Sequence, residues 1–124
     1  MPANAEGRGL LGPLEGEVME ALWATSEPLS VRAVLDHLNE DRRPPLAYTT
    51  VMTVMSRLAE KNVLRRVKHG RGYMYEPMVT DEAGIAVQSV LRDFGDQAVA
   101  HFVEQARSDP KLKARLQRLM ARER

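Results

Sequence analysis

The segment VLRRVKHGRGYMYEP, residues 63 to 77, sets β-favouring residues on either side of the tetrapeptide His69-Gly70-Arg71-Gly72. That arrangement predicts a β-hairpin with a basic tip, in which Tyr73 and Tyr75, two residues apart, share one face of the second arm. Around it, the rest of the chain carries apolar residues at helical spacing, so the hairpin must fit among helices. The Gly-x-Gly at its tip is no phosphate-binding loop. A third glycine is missing, and Pro77 and Thr80 stand where such a loop needs a helix.

Ahead of the hairpin, Leu14, Val18, Ala21 and Leu22 recur at helical spacing behind Pro13, predicting a helix over residues 13–24. After the short extended stretch SEPLS, Ser30 is placed to cap a second helix whose stripe is Val31, Val34, Leu35 and Leu38. Pro44-Pro45 forbids helix. A third helix is predicted over residues 47–62, with Val51, Val54, Met55 and Leu58 on its inner side. Beyond Thr80 three further amphipathic helices are expected. Val87, Val90, Leu91 and Phe94 mark the first, Val99, Phe102, Val103 and Ala106 the second, and Leu112, Leu116, Leu119 and Met120 the third. Gly95 separates the first two, and Asp109-Pro110 opens the last as cap and first residue.

The formal net charge of +1 conceals a separation along the chain. Glu6 to Asp41 holds eight acids against Arg8 and Arg32, a net of −6. Arg42 to Tyr75 holds eight bases against Glu60, a net of +7, interleaved with Tyr48, Tyr73 and Tyr75. A basic, tyrosine-bearing block of this kind is the electrostatic footprint of nucleic-acid binding, weighed against a solvated surface that merely happens to be basic. On the third helix, with Val51 at zero, Ser56, Thr49, Thr53 and Arg57 fall at about 140°, 160°, 200° and 240°. Three threonines within five residues (Thr49, Thr50, Thr53) are poor choices for an exposed helix that touches nothing.

Other chemistry is thinly represented. The chain has no cysteine, which removes disulfides, thiolate metal sites and cysteine nucleophiles together. Its three histidines, His37, His69 and His101, fall in no metal-ligand spacing. Acids are scattered over helix surfaces, and Ser26, Ser30, Ser56, Ser89 and Ser108 lack sequence-local partners, so no enzyme and no cofactor are expected. With 44% hydrophobic and 28% charged residues in 124, the composition is that of one soluble globular chain. Its opening MPANAEGRGLLGPL lacks the pattern of an export signal, so a cytoplasmic protein without direct membrane binding is expected.

Three helices followed by a basic hairpin is the order of a winged helix. The expected fold is therefore mostly α with a small β-hairpin wing: an N-terminal winged helix-turn-helix over residues 1–79 and a C-terminal helical dimerisation region over residues 80–124. A winged helix used only for protein contacts is the alternative, as is a regulator of the same fold answering a different signal.

The runs LEGEVMEALW, VRAVLDHL, AYTTVMTVMSRLAEKNVLRR and GYMYEP resemble the penicillinase-repressor family, the BlaI/MecI type, from about Leu14 to the C-terminus. The resemblance implies a homodimeric repressor that binds inverted repeats in double-stranded DNA at promoters of β-lactam-resistance or cell-wall genes. It also implies relief through a membrane sensor-protease acting on the C-terminal region. Two features of the family's branches are missing. Copper-responsive relatives use a cysteine-rich tail, and the best-known β-lactam-responsive members are cut between Asn and Phe; this chain has neither a cysteine nor an Asn-Phe pair.

The expected roles follow from position. Thr49 and Thr53 face base edges, while Thr50, Ser56 and Arg57 bond phosphates or flanking bases, and Tyr48 is a further DNA-binding residue. Arg42 and Arg43 before the helix and Arg71 on the wing contact phosphates. Val87, Val90, Leu91, Phe94, Val99, Phe102, Leu112, Leu116 and Leu119 form the buried set of the homodimer.

Overall fold

In a computed structural model of the chain, residues 11–122 are described. Glu6 and Arg8 of the acidic segment, and the first residues of the opening stretch, lie outside them. Helix α1 spans Pro13–Trp23, α2 Val31–Leu38 and α3 Tyr48–Glu60. Strands β1 (Leu64–His69) and β2 (Gly72–Pro77) follow, and then α4 (Glu82–Phe94), α5 (Asp96–Ser108) and α6 (Pro110–Ala121). This is a mostly α protein with a small β wing.

Each helix start has a local cause. Pro13 occupies the first turn of α1, where its missing N–H costs nothing, and the Gly12 N–H donates to Glu15 Oε1 at 3.0 Å. Ser30 Oγ accepts from the Ala33 N–H at 3.0 Å to cap α2. The connection to α3 is long for a helix-turn-helix, and one side chain holds it. Asn39 donates through Nδ2 to the Leu46 carbonyl at 3.1 Å and accepts the Leu46 N–H on Oδ1 at 2.8 Å, closing the loop through Pro44 and Pro45.

Helix α3 runs directly into the wing. Asn62 adopts φ +65°, the Asn62 N–H donates to the Ala59 carbonyl at 3.0 Å, and the Val63 N–H donates to the Leu58 carbonyl at 2.9 Å. These are the paired bonds of a Schellman cap, and Leu58 and Val63 bury together beneath it. The strands pair antiparallel from Leu64↔Pro77 to His69↔Gly72, which leaves Gly70-Arg71 as a two-residue turn. Gly70 takes φ +62° and Arg71 does not go positive, the pattern of a II′ hairpin turn with glycine first. Leu29, in the stretch read only as extended, joins the sheet. It exchanges two backbone bonds with Tyr75, at 2.9 and 2.7 Å.

By contacts the chain divides into two compact units, residues 1–86 and 87–124, so the division falls within α4. The core of the first unit gathers Val18, Met19 and Leu22 from α1, Val34 and Leu35 from α2, and Val51, Met55 and Leu58 from α3. The wing adds Leu64 and Tyr75, and the first turn of α4 adds Ile85. At about 1.5–3 kcal/mol for each fully buried large side chain, this set is the main source of the unit's stability. Asp81 Oδ1 caps that first turn by accepting the Gly84 N–H at 3.0 Å.

In the second unit Gly95, at φ +57°, ends α4 and starts α5. Asp109 Oδ1 accepts from the Lys111 and Leu112 N–H groups to open α6, with Pro110 at its first position. Helices α5 and α6 pack on one another.

Candidate nucleic-acid interface

Helix α3 buries Val51, Met55 and Leu58, and its opposite side carries the exposed Thr49, Thr50, Thr53 and Arg57. The helical angles of the sequence thus agree with the observed faces, except that Ser56 is half-buried and less accessible than the threonines. Tyr48 opens the helix and is exposed. Ala47 provides no side-chain cap, so the first amides of α3 are left for an outside acceptor, which at helix starts is commonly an anion. The Asn39 clamp on Leu46 fixes where this helix begins.

The basic block is partly spent inside the fold. Arg42 pairs with Glu17 of α1, Lys61 lies 3.8 Å from Glu15 of the same helix, and Arg65 pairs with Glu76 directly opposite on the wing. Arg42, expected at phosphate, is therefore held by an acid in the free chain. Arg43, Arg57, Lys68 and Arg71 are exposed, and Arg71 sits on the turn itself. Arg65 and Arg66 differ in partner: Arg65 meets Glu76, and the Arg66 guanidinium lies over the Tyr73 ring, 5.3 Å from its centroid. Tyr75, counted with the block's tyrosines, is a core residue.

One residue escaped the sequence reading. Arg32 belongs by position to the acidic segment, yet its guanidinium lies over the Tyr48 ring at 5.4 Å. The available signal was its place in the first turn of a helix capped by Ser30, where a base opposes the helix dipole.

In the second unit, Val87, Val90, Leu91, Phe94, Val99, Phe102 and Leu119 are exposed, whereas Leu112 and Leu116 are half-buried. Val103 and Met120, outside the expected dimer set, are exposed as well. Among the described residues of this unit, Ala106 is the one buried hydrophobic side chain. Among the described residues, no helix is long and apolar enough to cross a membrane, and no cluster of three His, Asp or Glu side chains is placed to hold a metal ion.

Comparison with known proteins agrees with this architecture. Residues 11–122 match the sequence profile of the penicillinase repressor family. Over 106 residues the chain is 42% identical to the transcriptional regulator BlaI of Mycobacterium tuberculosis, covering 80% of this chain and 75% of the relative. The same figures hold for the protein from strain CDC 1551 / Oshkosh and from strain ATCC 25618 / H37Rv. With the profile spanning the winged helix and the helices that follow it, the chain belongs to the penicillinase repressor family of transcriptional regulators.

Proposed function

We propose that this repressor binds an inverted-repeat operator as a homodimer, with residues 1–79 as the DNA-binding head and residues 80–124 as the dimerisation region. The observation that carries the reading is the outer face of α3, where Thr49, Thr50 and Thr53 stand exposed opposite the buried Val51, Met55 and Leu58. Short hydroxyl side chains allow a helix backbone to approach base edges closely, and they bond either donors or acceptors there. In this reading Thr49 and Thr53 meet base edges, and Tyr48, Thr50, Ser56 and Arg57 serve phosphates or flanking bases. Arg43 and Arg71 add backbone contacts, and Arg42 joins them if it leaves Glu17.

The apolar surface of the second unit supports the homodimer. A face bearing Leu91, Phe94, Val99 and Phe102 is costly to leave in water, and a two-fold partner covers it with the same residues while matching a palindromic site. The genes controlled are those of β-lactam resistance or the cell wall, by analogy with the family. Relief of repression follows a cut between Gly84 and Ala100 by a membrane sensor-protease, since severing the dimer region removes the second head from the local site.

The test uses a duplex that the wild-type chain enriches from a randomised pool, together with a scrambled duplex of the same length. Thr53→Ala is expected to cost about 1–3 kcal/mol on the enriched duplex and little on the scrambled one. Equal losses on both would remove Thr53 as a reader.

A further inference from the structure

Four arginines of the first unit are held in two different ways. Arg42 and Arg65 each meet a carboxylate, which neutralises them. Arg32 and Arg66 each lie over a tyrosine ring, at 5.4 and 5.3 Å, which orients the guanidinium but leaves its charge and its N–H edges available. Of these two, Arg32 is the harder to explain by folding alone. It occupies the second position of α2, where the positive end of the helix dipole opposes it. Asp36 stands four residues on, within reach for a helix-surface pair, and yet Arg32 pairs with no acid among the described residues. Its guanidinium turns instead toward the first residue of α3, beside Thr49.

We propose that Arg32 and Tyr48 form a single phosphate-binding unit on the DNA backbone. The Tyr48 ring holds the guanidinium at the entrance of α3, and the guanidinium donates to the non-bridging oxygens of one phosphate bordering the base pairs that Thr49 and Thr53 face. A planar, multi-donor cation suits two oxygens of one phosphate, and the ring contact reduces the freedom lost on binding. By fixing the backbone at one point next to the reading helix, the pair sets the register in which the threonines meet the bases. The proposal rests on the reading that α3 enters the groove.

The experiment measures binding by fluorescence anisotropy over a salt series, on the enriched and the scrambled duplex, for Arg32→Ala, Arg32→Lys, Tyr48→Phe and Thr53→Ala. Thermal unfolding of each variant shows that the head is intact. Arg32→Ala is expected to weaken both duplexes by about tenfold and to lower the slope of log affinity against log salt by about 0.9, the loss of one phosphate contact. Arg32→Lys keeps the slope but recovers only part of the affinity, and Tyr48→Phe, which keeps the ring and removes an uncharged hydroxyl, keeps the slope and loses less affinity than Arg32→Ala. Unchanged affinity and slope in Arg32→Ala, with Thr53→Ala still distinguishing the duplexes, overturns the proposal alone. A loss confined to the enriched duplex overturns it too, since Arg32 then reads a base. A wild-type chain that enriches no duplex overturns the DNA reading and this proposal together.

Discussion

Trp23 donates its indole N–H to the carbonyl of Val79 at 2.9 Å, joining the last residue of α1 to the chain just beyond the wing, 56 positions away. The same Val79 is met from the other side by Gly84. A Cβ placed on Gly84 would lie 2.8 Å from the Val79 Cβ and 3.1 Å from its Cγ1. Val79 therefore has its backbone fixed by Trp23 and its side chain against the backbone of α4, and it cannot retreat from either.

Gly84→Ala follows directly. In an unhindered helix the change gains about 1 kcal/mol of helix propensity. Here the overlap with Val79 reverses the sign, and a net loss of about 1–3 kcal/mol is expected in urea denaturation. Adding Val79→Ala should restore part of that loss, a coupling that a double-mutant cycle reads directly. Additive losses would show that the two residues do not collide.

Asn39→Ala removes both bonds to the Leu46 backbone and leaves a part-buried N–H and carbonyl to find water. About 1–3 kcal/mol of stability should go. Because Leu46 stands two residues before α3, hydrogen exchange at the start of that helix should quicken more than at Leu58. Uniform quickening along α3 would mean that the clamp serves global stability and not the placement of the helix.

Arg71 sits on the two-residue turn and is exposed. Arg71→Ala should flatten the salt slope of DNA binding by about one unit on any sequence. An unchanged slope would place the wing away from the backbone.

Phe102 lies on the exposed apolar face of α5. Phe102→Asp should leave the head folded and, where the wild-type chain sediments as the proposed homodimer, shift it to monomer in equilibrium sedimentation, since a carboxylate cannot be buried there without a partner. A variant that sediments as wild type would exclude Phe102 from the interface.

For relief of repression, the exposed Gly95 between α4 and α5 is the point at which helix is already interrupted. Mass spectrometry of the repressor from cells exposed to a β-lactam should give a fragment ending between Gly84 and Ala100. Full-length protein released from its operator would instead indicate a signal that works without cleavage.

Local rules were enough for much of this fold. Ser30, Asp109-Pro110 and the Gly70-Arg71 turn announce themselves through chemistry that acts within a few residues. The face of α3 was equally readable, because helical geometry alone separates Thr49 and Thr53 from Val51 and Met55. What escaped depends on residues far apart in the chain. Leu29 pairs with Tyr75, Glu17 takes Arg42, and Arg32 finds Tyr48, and none of these follows from periodicity or from counting charge by segment. Segment charge in particular misplaces Arg32, since the ring it lies over belongs to the next helix.

The peptide units around Val63 belong to two structures at once. The Val63 N–H closes the end of α3 on Leu58, and its carbonyl accepts the Met78 N–H at 2.8 Å beside the foot of the wing. No slack intervenes between the helix and the hairpin. In the proposed reading of α3 as the DNA-reading helix, its outward side chains can therefore be exchanged to suit new promoters while the spacing from helix to wing tip is inherited unchanged. An insertion at Asn62 or Val63 would break that inheritance, so variation should accumulate in the identity of the face and not in the length of this corner.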